Sequence, residues 1–211
     1  MRKIIAVIVA MWPLTTAADE VVIAALGDSL TQGFGLIPED GFVPQMARWL
    51  EAEGASVRLI NAGVSGDTTA GGLSRVSWTL SPEVDGIIVA LGGNDLLRGI
   101  DPDVSRANLA GILSAATDAG VEILLVGMVA PGNYGPQYKT RFDAMYPELS
   151  AEFETLYAPR FFAGIDAGEA NLAEAMAFMQ PDGIHPNADG VARIVAELGP
   201  FVLDLVTAAE D

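Results

Sequence analysis

Beyond residue 20 the chain alternates between short apolar runs and longer stretches with helical spacing. Residues 21–26, 57–60, 86–91 and 123–128 are rich in Val, Ile and Leu, and 160–163 forms a fifth, weaker run. Strands with little hydrophobic–polar alternation predict a parallel sheet covered on both faces. The stretches 42–53, 104–119, 136–157, 171–179 and 186–207 predict helices. In the second of these, Val104, Ala107, Leu109, Ile112, Leu113 and Ala116 fall largely on one stripe. In the last, Val191, Ile194, Val195, Leu198, Val202 and Leu205 do the same. Phe142, Met145, Tyr146 and Leu149 have the spacing of a buried helix face. Trp49 and Trp78, on amphipathic stretches, are expected to pack. This order predicts an α/β domain of three layers, doubly wound around a five-stranded parallel sheet. With no repeat, low-complexity tract or linker, residues 19–211 read as a single domain.

The first 18 residues read differently. Arg2 and Lys3 precede nine apolar residues, Ile4 to Trp12, then Pro13 and the small residues Thr16, Ala17 and Ala18. A basic start, a short apolar run and small residues for cleavage have the form of a secretory signal peptide. The run is too short for a membrane span, which needs about 20 residues. Residues 1–18 are therefore expected to be removed, delivering the protein to the periplasm or the exterior.

Composition narrows the chemistry. The chain of 211 residues carries 28 acidic and 11 basic side chains, a formal net charge of −17. A nucleic-acid partner is disfavoured, because binding the phosphate backbone needs Lys and Arg. The absence of cysteine excludes disulfides, thiolate catalysis and cysteine-ligated metals. The single histidine, His185, excludes a multi-histidine metal site.

In a parallel α/β sheet, ligands bind beyond the C-terminal ends of the strands. Four such loops carry polar residues: Gly27-Asp28-Ser29-Leu30, Asn61 to Asp67, Gly92-Gly93-Asn94-Asp95, and Asp182 to Asn187. His185 is the one side chain whose ordinary pKa suits a neutral-pH general base. Asp182, three residues earlier, can hold one ring nitrogen across a turn. Pro186 keeps His185 extended and suits the first position of the final helix. Ser29, directly after the first strand, is a hydroxyl that such a base can activate. The backbone N–H of Ser29, that of Gly66 and the Asn94 amide are candidate donors to a developing oxyanion. The Gly-x-Ser-x-Gly elbow is absent, which disfavours the usual α/β-hydrolase.

Taken together the four loops resemble the SGNH, or GDSL, superfamily of serine hydrolases, whose blocks carry Ser, Gly, Asn and His in this order. The segments Gly27 to Thr31, Asn61 to Thr68 and Ala130 to Gly135 are similar to its exported thioesterase, lysophospholipase and arylesterase branch. The resemblance implies a flavodoxin-like fold, a Ser29–His185–Asp182 triad, and an oxyanion hole from Ser29, Gly66 and Asn94. It implies no metal and no organic cofactor, and a small acyl ester or thioester as substrate. Pro131 and Tyr134 are the implied lining of the acyl site. Two alternatives remain at this stage: a carbohydrate O-acetylesterase on the same fold, and a non-catalytic binding domain.

Overall fold

The computed structural model describes residues 20–165 and 172–210; the expected signal peptide lies outside them. Five parallel strands form one sheet: β1 (Val21–Gly27), β2 (Val57–Gly63), β3 (Gly86–Ala90), β4 (Glu122–Val126) and β5 (Leu156–Ala158). Their order is β2-β1-β3-β4-β5, the flavodoxin-like arrangement. β1 pairs with β2 from Val21↔Val57 to Gly27↔Gly63, and with β3 from Ile23↔Gly86 to Gly27↔Ala90. Every residue of β1 and β3 is buried, as their unbroken apolar runs require.

The helices are α1 (Ser29–Gln32), α2 (Phe42–Ala52), α3 (Thr69–Thr79), α4 (Gly93–Leu97), α5 (Pro102–Ala119), α6 (Pro136–Phe153), α7 (Leu172–Met176) and α8 (Ala188–Ala209). α2 packs on α8, and α8 crosses β1, β3, β4 and β5. α3, α5 and α6 pack side by side as the second helical layer. Phe142, Met145, Tyr146 and Leu149 are fully buried on α6. Among the described residues no helix is long and apolar enough to cross a membrane.

The structure corrects several expectations. The last strand is Leu156–Ala158, paired with Leu124–Val126, not 160–163. Pro159 has no N–H to continue the ladder, and the chain turns so that Phe161 enters the core against Phe42, ring centroids 5.5 Å apart. The helix expected over 136–157 stops at Phe153, where Glu154 turns left-handed with φ +54°. Pro186 precedes α8 and does not open it. Asn187 is the cap, accepting the Gly190 N–H at 2.9 Å, while Pro186 bridges Met179 in extended form.

α1, α3 and α4 were not expected from periodicity. On α3 the buried positions are Thr69, Gly72 and Val76. Trp78 lies nine residues after Thr69, about half a turn away around the helix, and is 89% exposed. The expectation that Trp78 packs is thus overturned, whereas Trp49 lies against Gly199 of α8.

One side chain ties the strand ends together. Arg75 of α3 donates to the Asp67 carboxylate at 2.6 Å, to the Ala62 carbonyl at 2.7 Å and to the Gly27 carbonyl at 2.8 Å. Its partners are the last residues of β1, the end of β2 and the loop after it. Removing it takes the ion-pair partner from a largely buried carboxylate and a donor from two carbonyls, of which Gly27 keeps the Val64 N–H at 3.1 Å. Arg75→Met should therefore lower the unfolding free energy by about 2–4 kcal/mol. Trp78→Ala should change it by less than about 0.5 kcal/mol. Urea denaturation of the two variants beside the parent checks both.

Candidate active site

The site is assembled at the C-terminal edge of β1 and β3, where the chain crosses over to opposite sides of the sheet. β1 ends at Gly27, and Asp28 caps α1 by accepting the Leu30 N–H at 3.0 Å. Ser29 is thereby the first residue of a short helix. Its hydroxyl stands 2.9 Å from His185 Nε2, although 156 positions separate the two in sequence.

His185 is held by a turn that Asp182 builds. One oxygen of Asp182 accepts the backbone N–H of Ile184 at 2.9 Å and of His185 at 3.0 Å. The other lies 2.7 Å from His185 Nδ1. The bond from the imidazole, with help from those two N–H groups, lowers the Asp182 pKa to about 2. The carboxylate is thus ionised at neutral pH and can only accept, so Nδ1–H donates to it. Nε2 is left free to accept the Ser29 proton. Serine, imidazole and carboxylate form one hydrogen-bonded line.

The loops after β2 and β3 complete the surroundings. Ser65, Gly66, Gly93 and Asn94 all border the same cleft as Ser29 and His185. Gly66 has φ +84°, and its carbonyl accepts from Arg98 at 2.8 Å. Asn94 is the second residue of α4, whose cap Gly92 has a φ of +119° that admits glycine and a missing Cβ that makes room for the Tyr146 hydroxyl. That buried hydroxyl donates to the Leu91 carbonyl at 3.0 Å, which fixes the end of β3.

Asp28 is a participant that the sequence reading passed over. It is 1% exposed, and its second oxygen accepts from the Asn94 amide at 3.2 Å. The carboxyl therefore links the serine loop to the asparagine loop. Its position before a short helix, as an acidic N-cap, was the available signal. Asp95 beside Asn94 is also fully buried. It accepts from Thr69 N at 2.8 Å, Thr69 Oγ1 at 2.6 Å and Ser105 Oγ at 2.8 Å, joining α3 and α5 to α4.

The cleft has a volume of about 320 Å3. Its walls are mainly apolar and include Phe34, Leu97, Met128, Val129, Phe162 and Ile184. Pro131 and Tyr134 are not among its lining residues. Tyr134 turns back toward Gly99 and Tyr138 and donates to the Leu97 carbonyl at 3.3 Å. Leaving β4, the chain meets the cleft earlier, at Met128 and Val129. The residues that do line it come from six separated segments, and no local periodicity marks them.

A serine, a histidine and an aspartate joined by hydrogen bonds at the open edge of a parallel sheet have the geometry of a serine hydrolase, here on a flavodoxin-like scaffold. Comparison with known proteins agrees. The profile of the GDSL-like Lipase/Acylhydrolase family matches residues 25–193. The chain is 35% identical over 194 residues to Esterase TesA of Pseudomonas aeruginosa, covering 92% of this chain and 93% of that one. It is 36% identical over 190 residues to Thioesterase 1/protease 1/lysophospholipase L1 of Escherichia coli K12, covering 89% and 81%. The crystal structure of AlinE4, an SGNH-hydrolase family esterase, superposes with a TM-score of 0.72 at 39% identity, over 90% of this chain and 98% of AlinE4. The chain belongs to the GDSL-like lipase/acylhydrolase family and is an ester-hydrolysing enzyme.

Two carboxyls of the site are displaced in opposite directions, and each leaves a mark on stability. Burial raises Asp28 from its ordinary 3.8 to about 6, against the bonds from Leu30 and Asn94. Between these values the folded state binds more protons than the unfolded one, so this group makes stability fall as pH rises. Asp182, held down to about 2, contributes stability above its ordinary value that is lost as pH falls toward 2. Asp28→Asn removes only the first effect. The stability of the parent minus that of the variant should therefore decline from pH 4 to pH 6 in a series of urea midpoints. A constant difference would mean that Asp28 does not titrate in this window.

Proposed function

We propose that the enzyme cleaves carboxylic esters or thioesters of acyl chains with Ser29 as nucleophile, His185 as general base and Asp182 as the group that orients it. The observation carrying this reading is the continuous line from Ser29 Oγ through the imidazole to Asp182 Oδ2, at 2.9 and 2.7 Å. Ser29 Oγ attacks the acyl carbonyl while its proton passes to Nε2. The imidazolium is stabilised by the ionised Asp182 and returns the proton to the departing alcohol or thiol. Water, deprotonated by the same nitrogen, then attacks the acyl-serine, releases the acid and restores the hydroxyl. The Ser29 and Gly66 N–H groups and the Asn94 amide serve as donors to the oxyanion. Asp28 holds one amide hydrogen of Asn94 and leaves the other for that purpose.

The apolar cleft supports acyl chains over an acetylated sugar, since each buried methylene gains about 0.8 kcal/mol. Among the described residues, Asp28 and His185 are the only ionisable ones in its lining, and the chain as a whole is strongly acidic. Both features favour a neutral acyl group over an anionic one. Ser29→Ala should keep the fold and lower turnover of p-nitrophenyl butyrate by about 10³-fold or more. A fluorophosphonate should label Ser29 in the parent and nothing in the variant. Near-normal turnover in Ser29→Ala, or labelling at another residue, would remove the basis of this mechanism.

The basic, apolar and small-residue order of the first 18 residues supports export, with the mature chain in the periplasm or outside the cell. Removing Arg2 and Lys3 would leave nine basic residues against 28 acidic ones, a net charge of −19. N-terminal sequencing of the protein purified from its own cell envelope should start near Asp19. A chain beginning at Met1 in the cytoplasm would reverse the assignment.

A further inference from the structure

Phe34 and Gln180 lie outside the Ser29–His185–Asp182 line yet contact Ser29 and His185. The Phe34 backbone N–H donates to the Ser29 carbonyl at 3.1 Å. Its ring lies against the His185 imidazole, centroids 4.6 Å apart and tilted by 36°. Its carbonyl accepts from Gln180 Nε2 at 2.8 Å. The same Gln180 nitrogen donates to the Pro186 carbonyl at 2.9 Å. Both partners are carbonyls and can only accept, so the amide must present its nitrogen to them. The backbone of Gln180 closes the turn as well: its N–H donates to the His185 carbonyl at 2.7 Å, and its carbonyl accepts the Gly183 N–H at 2.9 Å.

The segment carrying Phe34 is otherwise held by the Gly33 N–H on the Ser29 carbonyl, the Leu36 N–H on the Gly33 carbonyl and the packing of Leu36 on the core. Phe34 is 47% exposed and is flanked by Gly33 and Gly35, with φ +89° and +75°. A Cβ on Gly35 would stand 2.2 Å from Gln180 Oε1, so the glutamine amide lies flat on the backbone beside Phe34. The serine loop and the base turn are thus joined by one side-chain amide, next to the bond on which catalysis depends.

We propose that Gln180 is a positioning residue for the general base. It staples the Phe34 segment to the His185 turn, so that the phenyl ring backs the imidazole and keeps Nε2 aligned with Ser29 Oγ. The inference rests on the serine-hydrolase reading of the site. Displacing a reacting group by about 1 Å can cost up to about 10²-fold in rate, and Asp182 holds only Nδ1 of the ring, so the phenyl contact is what backs the face of the imidazole.

The test compares Gln180→Met, which fills the space without donors, with Gln180→Glu, which sets a carboxylate against two carbonyls. Three readouts are taken on each: kcat and KM for p-nitrophenyl butyrate, the rate of fluorophosphonate labelling of Ser29, and Tm. Gln180→Met should lower kcat and the labelling rate together, by about 10- to 100-fold, with KM within about twofold and Tm nearly unchanged. Gln180→Glu should be worse at pH 8, and its activity relative to the parent should rise toward pH 5. A protonated carboxyl regains a donor, while Asp28, Asp182 and His185, the ionisable groups beside it, are present in both proteins and cancel in the ratio. Unchanged kcat and labelling in Gln180→Met would overturn the proposal. So would losses that follow Tm with a pH-independent Gln180→Glu ratio, since that is the mark of a merely structural residue. If the parent itself is labelled away from Ser29, the serine-hydrolase reading fails, and this inference with it.

Discussion

Parallel pairing of β1 with β2 on one side and β3 on the other is the constraint from which the rest follows. When every strand points the same way, every loop that leaves a strand emerges at the same edge. β1 is where the chain changes direction across the sheet, so the loops after β1 and β3 diverge and leave a gap between them. Ser29 and Asn94 stand on the two sides of that gap. His185 reaches it because α8 lies across four strands and its leading turn arrives at the same edge.

A functional edge leaves strand-terminal carbonyls and helix-initial N–H groups without ladder partners, and here charged and polar side chains supply them. Arg75 takes the carbonyl of Ala62 and shares that of Gly27 with the Val64 N–H. Tyr146 takes that of Leu91. Asp95 takes the N–H of Thr69, and Asp28 that of Leu30. These same contacts set the loops that carry Ser29, Gly66 and Asn94, so stability and alignment at the edge share their interactions. Asp28 carries the clearest cost of the arrangement, since burial disfavours its charged form. Its return is the link it makes between the Ser29 loop and the Asn94 amide.

The amino-acid sequence by itself determined the layers, the parallel sheet and the identity of the Ser29, Gly66, Asn94, Asp182 and His185 segments. Apolar runs without alternation favour strands covered on both faces, as β1 and β3 are, and polar residues placed after them mark one edge. Asp182 and His185 are close enough in the chain for a turn to join them. Local pattern failed where tertiary contact overrode propensity. α3 contains Gly71 and Gly72, poor helix formers, yet Gly72 is required because a Cβ there would stand 2.2 Å from Leu91. The strand expected at 160–163 moved to Leu156–Ala158 because pairing with β4 chose the register and Pro159 closed it. Only the tertiary structure decided which side chains line the cleft: Met128, Val129, Phe162 and Ile184 enter it, while Pro131 and Tyr134 do not. It alone set Asp28 against Asn94, and Gln180 against Phe34. Those pairs are 66 and 146 residues apart, and a hydrogen bond across such a distance exists only once the sheet has brought its loops to one edge.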